Sequence, residues 1–512
     1  MNVSSPPGSS AGMTVGIRAL IEQRQTEPTR VGFVEGATGR SLTWDGVARR
    51  SQAWQAASHE LAGWRVGLML SDPVEMAAAV LGAIAAGVTA VPLNPAATLA
   101  ELGAQIANVD LAAVLTDDFD GDRIAALGPD VWRSEQGRLE LAARGQNGRS
   151  RLRGAGAALV LATSGTTGAP KIIPLTEAQL LFTARALIAN HELTADDCGY
   201  SPLPLFHING LVVGVLSTLV VGCRLVVERR FSARSFWQVA AEQEVTWLNL
   251  VPAIIAVLAG VSPPAPEVAR RVGFARSASA PLPGAARQRF EARTGIGVLE
   301  TYGMTEAASQ IAANPRRQAD RRPGSVGRPV GLELRVVDRS RRPVAPGTVG
   351  QVEIRGPSVA VGYWAPAGTV PAVRPATDAD GWLATGDLGR LDDAGFLYLV
   401  GRADDVINRG GEKVYPRQIE EVLLRDPCIE AAAVVGRAHP TLGEEPVAFV
   451  TPAAGCDDPE GLVSRLEQRC ARELTRSRRP ASIQLTAHLP AGPTGKVRSA
   501  ELRRDLAAQA AP

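Results

Sequence analysis

The sequence predicts an α/β protein. It would have a large N-terminal domain of parallel-rich sheets with helices plus a small β-barrel-like portion, followed by a small mobile α+β C-terminal domain. Three observations carry this expectation. From about residue 60, short apolar runs alternate with helical segments. After residue 330 the texture changes to short, partly alternating strands between Pro and Gly turns. A polar junction at residues 401–405 then precedes a compact tail of mixed helix and strand. A chain of 512 residues, 45% hydrophobic and 21% charged, is globular and long enough for two or more domains.

Residues 1–15, rich in Ser, Pro and Gly, read as a disordered leader lacking the basic region and apolar core of a signal peptide. Residues 66–70 form a continuous apolar run and read as a buried strand, after which Pro73 suits the first position of a helix to 86. A strand at 89–92, a helix at 99–108 and a strand at 112–116 follow, and such alternation implies parallel sheets covered by helices. Another buried strand, 157–162, runs directly into a Ser/Thr/Gly loop. The most apolar stretch, 211–227, is interrupted by Gly214, Gly222 and Arg224, so it reads as a buried helix passing into a strand and no membrane span. A helix at 235–244 and a strand at 245–251 repeat the theme. Segments 332–337, 350–355 and 395–400 read as the β-rich portion. Beyond the junction come a helix at 419–424 and strands at 431–435 and 447–451. The expected boundaries are 16–403 for the large domain and 404–512 for the small one.

A net charge of +2 gives no general attraction to nucleic acid or to an anionic membrane. Cys198, Cys223, Cys428, Cys456 and Cys470 show no paired spacing and read as reduced thiols of a cytoplasmic protein. Monomer and homodimer both remain open.

Of the 54 basic residues only three are lysine, Lys171, Lys413 and Lys496, and each sits in a glycine-rich motif. An ammonium on a flexible stem differs chemically from a guanidinium, so its retention at these places points to phosphate or carboxylate chemistry. The loop after the 157–162 strand contains Thr163, Ser164, Gly165, Thr166, Thr167, Gly168 and Lys171. Small side chains there let backbone N–H groups and hydroxyls approach phosphate oxygens, and Lys171 adds charge. Pro170 before the lysine and the missing Gly-Lys-Ser/Thr ending distinguish it from a Walker loop.

This loop resembles the phosphate-loop signature of the adenylate-forming superfamily of acyl-CoA synthetases, peptide-synthetase adenylation domains and luciferase-like enzymes. The resemblance extends over about residues 30 to 506 in seven ordered motifs. It implies that Thr305 holds the α-phosphate and Glu306 ligates Mg²⁺ in the motif Thr301, Tyr302, Gly303, Met304, Thr305, Glu306. It implies that Asp387 and Arg402 take the ribose hydroxyls, with Ser279, Ala280 and Pro281 also at the nucleotide. Asp404 corresponds to the interdomain hinge. Gly410, Gly411 and Lys413 correspond to a loop at the thioester-forming site, with Lys413 toward a coenzyme A phosphate. Lys496 corresponds to the adenylation lysine. Taken singly, Asp387 suits a turn cap, Arg402 a surface ion pair, and Thr305 with Glu306 a helix N-terminus. The order of all seven gives them a common reading.

The chemistry implied is attack of a carboxylate on the α-phosphorus of ATP, with Lys496 bridging the two anions and Mg²⁺ on Glu306 neutralising phosphate charge. Domain rotation then brings in the thiol of coenzyme A, or of an acyl carrier protein. The insertion typical of acyl-AMP ligases is not evident between Arg328 and Val337, which favours coenzyme A.

His207 corresponds to a residue at the mouth of the acyl pocket, which Asn209, Val213, Trp247, Ser279, Thr301, Gly303, Ser309 and Gln310 would line. No aspartate stands at Asn209 or its neighbours, which disfavours an amino acid substrate. Residues 304–315 and 409–413 resemble the oxalate-activating branch, but Asn209 stands where that branch carries a second histidine. The expectation is therefore a mostly neutral pocket for a hydrophobic or bulky monocarboxylic acid.

Overall fold

Two nine-stranded sheets, a four-stranded sheet and a five-stranded sheet organise the chain among the described residues. The structure is a computed structural model and describes residues 15–117, 121–135, 138–145, 154–163, 171–365, 373–453, 456, 458–491 and 497–509. Residues 1–14 of the expected leader, Ser164 to Gly168 of the expected phosphate loop, and Lys496 lie outside the described residues, as does the side chain of Thr163.

The first nine-stranded sheet runs parallel through Val31–Glu35, Arg224–Val227, Cys198–Ser201, Trp247–Leu250, Phe274–Ser277 and Val298–Met304. Antiparallel strands flank it, Ser41–Thr43 at one side and Ser309–Ala313 then Arg328–Pro329 at the other. The second carries parallel strands Leu159–Thr163, Thr89–Pro92, Arg65–Met69, Ala113–Thr116 and Asp130–Glu135 at its centre. The strand–helix alternation in the sequence is thus realised as parallel pairing, with helices burying the faces.

Local signals explain where the helices start. Asp72 accepts hydrogen bonds from the N–H groups of Val74 (2.9 Å) and Glu75 (3.0 Å), and Pro73 opens the helix Pro73–Ala85 without losing a partner. Thr98 with Glu101 and Thr176 with Gln179 form reciprocal capping boxes on the helices Leu99–Val109 and Glu177–His191. The apolar 211–227 segment is a π-helix, Asn209–Leu216, continued by the α-helix Ser217–Val221 and the strand Arg224–Val227. Ser217 donates its hydroxyl to the Val212 carbonyl at 3.1 Å, five residues back, and this wider winding belongs to π geometry.

The β-rich portion is an antiparallel sheet of Glu333–Val337, Gly350–Arg355, Leu383–Leu391 and Leu397–Arg402, in that order. Its outer strands do not pair with each other among the described residues, so the expected barrel-like portion is an open sheet.

The small domain has its own core, in which Ile419 and Leu423 of the helix Pro416–Leu423 and Leu462 and Leu466 of the helix Pro459–Glu473 pack against Val434, Ala448 and Val450. Arg503 donates to Asp405 of the junction turn at 2.6 Å, and Arg417 donates to the Leu399 carbonyl at 3.0 Å, which ties the tail to the preceding sheet. All five cysteines are free thiols. Among the described residues no helix is long and apolar enough to cross a membrane.

Candidate active site

Ligands of open α/β sheets bind beyond the carboxyl ends of the parallel strands. At that edge of the first sheet, Ser201, Asn249, Arg276 and Thr301 stand near the ends of four neighbouring strands, with Asn249 directly opposite Arg276. The π-helix begins above them at Asn209. Three residues here hold backbone conformations that L-amino acids rarely adopt: Ser279 (φ 73°), Ala308 (φ 51°) and Ser309 (φ 104°). Such strain persists only where surrounding structure enforces it. Gly303 shows the crowding that enforces it, because a Cβ at this position would lie 1.5 Å from the Ser309 carbonyl oxygen.

Arg276 is the residue that sequence reasoning passed over. Strand alternation places it on the same face as Phe274, which stacks on Trp247 at 6.0 Å between centroids. Its side chain is 1% exposed. Nη1 donates to Asn209 Oδ1 (3.0 Å) and Asn249 Oδ1 (3.1 Å), and Nη2 to Gln310 Oε1 (3.3 Å). Nε is buried and finds no partner, and no carboxylate forms an ion pair with the guanidinium among the described residues. Burial lowers its proton affinity to about 9, so it stays charged at neutral pH. A charged group thus stands directly behind Asn209 and Gln310, residues that the sequence places in a mostly neutral lining. The sequence held one signal for it, a lone basic residue inside a short strand with no other charge.

The lining residues read from the sequence divide around this cation. Asn209 and Gln310 touch it, and Asn209 Nδ2 donates to Ser279 Oγ at 3.3 Å. Val213 and Trp247 are wholly buried in one apolar cluster with Phe274 and Leu299. Thr301 donates its hydroxyl to the Ser277 carbonyl at 3.0 Å. His207 is half-buried against Phe206, ring centroids 4.6 Å apart, with Nε2 buried and unpartnered. Burial pushes its pKa down to about 4, so the imidazole is neutral at physiological pH.

The second group surrounds Asp387. Tyr302 donates its hydroxyl to Oδ2, and Arg402, the cross-strand partner of Asp387, donates to Oδ1 at 3.3 Å. A carboxylate oriented through both of its oxygens suits hydroxyl donors such as those of a sugar.

The third group centres on Glu306, buried on the single 3₁₀ turn Thr305–Ala307. The Tyr363 hydroxyl donates to Glu306 Oε1 at 3.3 Å, and Lys171 Nζ lies 5.1 Å from the Tyr363 ring centroid. Among the described residues no set of three His, Cys, Asp or Glu groups could cage a metal. One carboxylate with a single neutral donor fits Mg²⁺, which takes one or two carboxylates and completes its shell with phosphate and water.

Gly410 and Gly411, at φ 58° and 87°, form the two-residue turn between the strands Ile407–Arg409 and Glu412–Val414. Both central residues of such a turn need positive φ, which explains the paired glycines. Lys413 is exposed on this hairpin. The hairpin's hydrogen bonds run to Leu442, Glu444 and the 476–479 segment of the small domain. Asp404 is exposed in the junction turn Ala403–Asp405.

The sequence pattern described as AMP-binding enzyme matches residues 20–364, and that of the AMP-binding enzyme C-terminal domain matches 418–496. A sulfoacetate–CoA ligase of Cupriavidus necator is 45% identical over 348 residues, 67% of this chain and 66% of that protein. An oxalate–CoA ligase of Arabidopsis thaliana is 36% identical over 344 residues, covering 66% of each chain. The matched stretch therefore spans slightly under two thirds of these relatives' length. The crystal structure of ATP-bound MatB from Rhodopseudomonas palustris superposes with a TM-score of 0.84 at 28% identity, covering 96% of this chain and 99% of that one.

Proposed function

The chain belongs to the AMP-binding enzyme family, and from that premise we propose that it is an ATP-dependent acid–thiol ligase. It would activate a carboxylic acid other than an amino acid as an acyl-adenylate and then form the coenzyme A thioester. In the first half-reaction a carboxylate oxygen bonds to the α-phosphorus of ATP and the bond to pyrophosphate breaks. In the second, the thiolate attacks the acyl carbon and AMP leaves.

The observation that carries this reading is the Asp387 carboxylate, oriented by Tyr302 at one oxygen and by Arg402 at the other. Its oxygens would take the ribose hydroxyls. Ser279, Ala280, Pro281, Thr301 and Gly303 would border the nucleotide and Thr305 its α-phosphate. The backbone of Thr163 to Gly168 and the Lys171 ammonium would hold the outgoing phosphates. Glu306 would hold Mg²⁺, which supplies charge neutralisation at the phosphates. Lys496 would bridge carboxylate and phosphate, so positioning and electrostatics supply the rate without a protein nucleophile. Neutral His207 would stand at the mouth of the acid pocket. The small domain, residues 404–512, would turn about Asp404 to exchange Lys496 for the Gly410-Gly411 hairpin, with Lys413 toward the coenzyme A phosphates.

The names of the relatives favour coenzyme A over a carrier protein as acceptor. Free thiols and the absence of a membrane-crossing helix among the described residues support a cytoplasmic setting. The test is pyrophosphate and AMP release with coenzyme A, with a carrier protein, or with neither. Lys496→Ala should abolish acyl-adenylate formation. A purified chain that consumes no ATP with any acid would overturn the reading.

A further inference from the structure

We infer that Arg276, acting through the side-chain amides of Asn209 and Gln310, makes the acid pocket select a compact carboxylic acid that bears a second anionic group. This rests on the ligase reading above and specifies its substrate.

A guanidinium has only donors. Each amide it touches must therefore turn its oxygen inward and its NH₂ group away. The structure shows this three times around one side chain, with the oxygens of Asn209, Asn249 and Gln310 all facing Arg276. The NH₂ group of Asn249 is taken up by Ser201 Oγ at 3.1 Å, and that of Asn209 reaches Ser279 Oγ at 3.3 Å. The NH₂ group of Gln310, a residue 2% exposed, is buried without a partner. Arg276 Nε is a second buried donor lacking an acceptor. Unmet donors around an unpaired cation are costly to keep dry, and an oxyanion supplies both the missing acceptors and the missing charge.

The chain of hydrogen bonds also sets a length. Asn209 alone links the exposed Ser279 to the buried Arg276, and Trp247 and Phe274 belong to one buried apolar cluster on the strands that carry Asn249 and Arg276. An acid whose carboxylate reacts at the mouth would thus place a second carboxylate or sulfonate near Gln310 after a short spacer. Arg276 serves as a positioning residue, since the amides face the ligand.

The experiment measures pyrophosphate release for size-matched acids: oxalate against acetate, and malonate or sulfoacetate against propionate. Wild-type protein should favour the dianion by at least about tenfold in kcat/KM, the order expected for a hydrogen bond to a charged group. In Gln310→Glu and Gln310→Met this preference should fall by about tenfold or more, chiefly through KM for the acid. Arg276→Met should lose it too, and Arg276→Lys should restore part of it; if the Arg276 variants fail to fold, the Gln310 pair decides. Equal or better use of the monoanions by wild type overturns the inference and leaves the ligase reading intact. A wild-type preference that survives both Gln310 substitutions overturns the assignment to this cluster. Pyrophosphate release with no acid at all overturns the ligase reading and this inference with it.

Discussion

Asp387 and Arg402 face each other across adjacent antiparallel strands, and Arg402 Nη1 donates to the same carboxylate that receives the Tyr302 hydroxyl. The pairing joins the first sheet, which carries Tyr302, to the four-stranded sheet just before the junction. If this carboxylate binds the ribose, Asp387→Asn should raise KM for ATP by about tenfold to a hundredfold, since hydrogen bonds to a charged group are worth about 1.5–3 kcal/mol. Steady-state kinetics at saturating acid would check this; an unchanged KM for ATP would contradict the assignment.

Gly303 has no room for a side chain. A Cβ there would meet the Ser309 carbonyl at 1.5 Å and the carbonyl carbon at 2.6 Å, both backbone atoms that cannot step aside. Gly303→Ala should cost more than about 3 kcal/mol, the range of severe overpacking. Gly284→Ala, where nothing lies within 4 Å, should be neutral or slightly stabilising. Thermal melts of the two variants would show the contrast.

Burial raises the pKa of Glu300 to about 7, opposed by the Gly324 N–H at 3.2 Å and by nearby Arg287. The folded state therefore holds this proton more tightly than the unfolded chain does. The associated stability is complete below the ordinary glutamate value and is lost as pH rises through about 7. Glu300→Gln should remove roughly 1–3 kcal/mol of that decline, so its advantage over wild type should grow from pH 5 to pH 8. Urea titrations at the two pH values measure it, and a constant difference would refute it.

Gly411 sits at φ 87° with open space where a Cβ would be. Gly411→Ala should strain the turn by about 1–2 kcal/mol. Pyrophosphate release should stay near the wild-type rate while thioester formation slows, because the hairpin is proposed to act only in the second half-reaction. Parallel assays of both steps would detect the split; equal loss in both would argue against the division.

The parallel sheets were legible because their strands are continuous apolar runs and their helices begin at Asp72-Pro73 and Thr98, where caps are encoded locally. Tyr302, Asp387 and Arg402, far apart in sequence, meet at one carboxylate. What escaped the sequence depends on contacts between distant segments. Thr305 and Glu306 suit a helix start, yet they occupy one 3₁₀ turn, because Ser309–Ala313 folds back to pair with Val298–Met304. The π winding of Asn209–Leu216 has no period that an apolar run reveals. Arg276 was the largest omission. Its partners are neutral amides from two other strands and the π-helix, and no opposite charge in the sequence advertises them.

The three amides around Arg276 have an evolutionary consequence. Their orientations are slaved to one donor-only side chain, so a single codon change that removed it would free all of them to rotate at once. Descendants of this enzyme would then accept acids that lack a second anionic group in one mutational step, without rebuilding the fold. Paralogues with an apolar residue at this position are where such a shift should be sought.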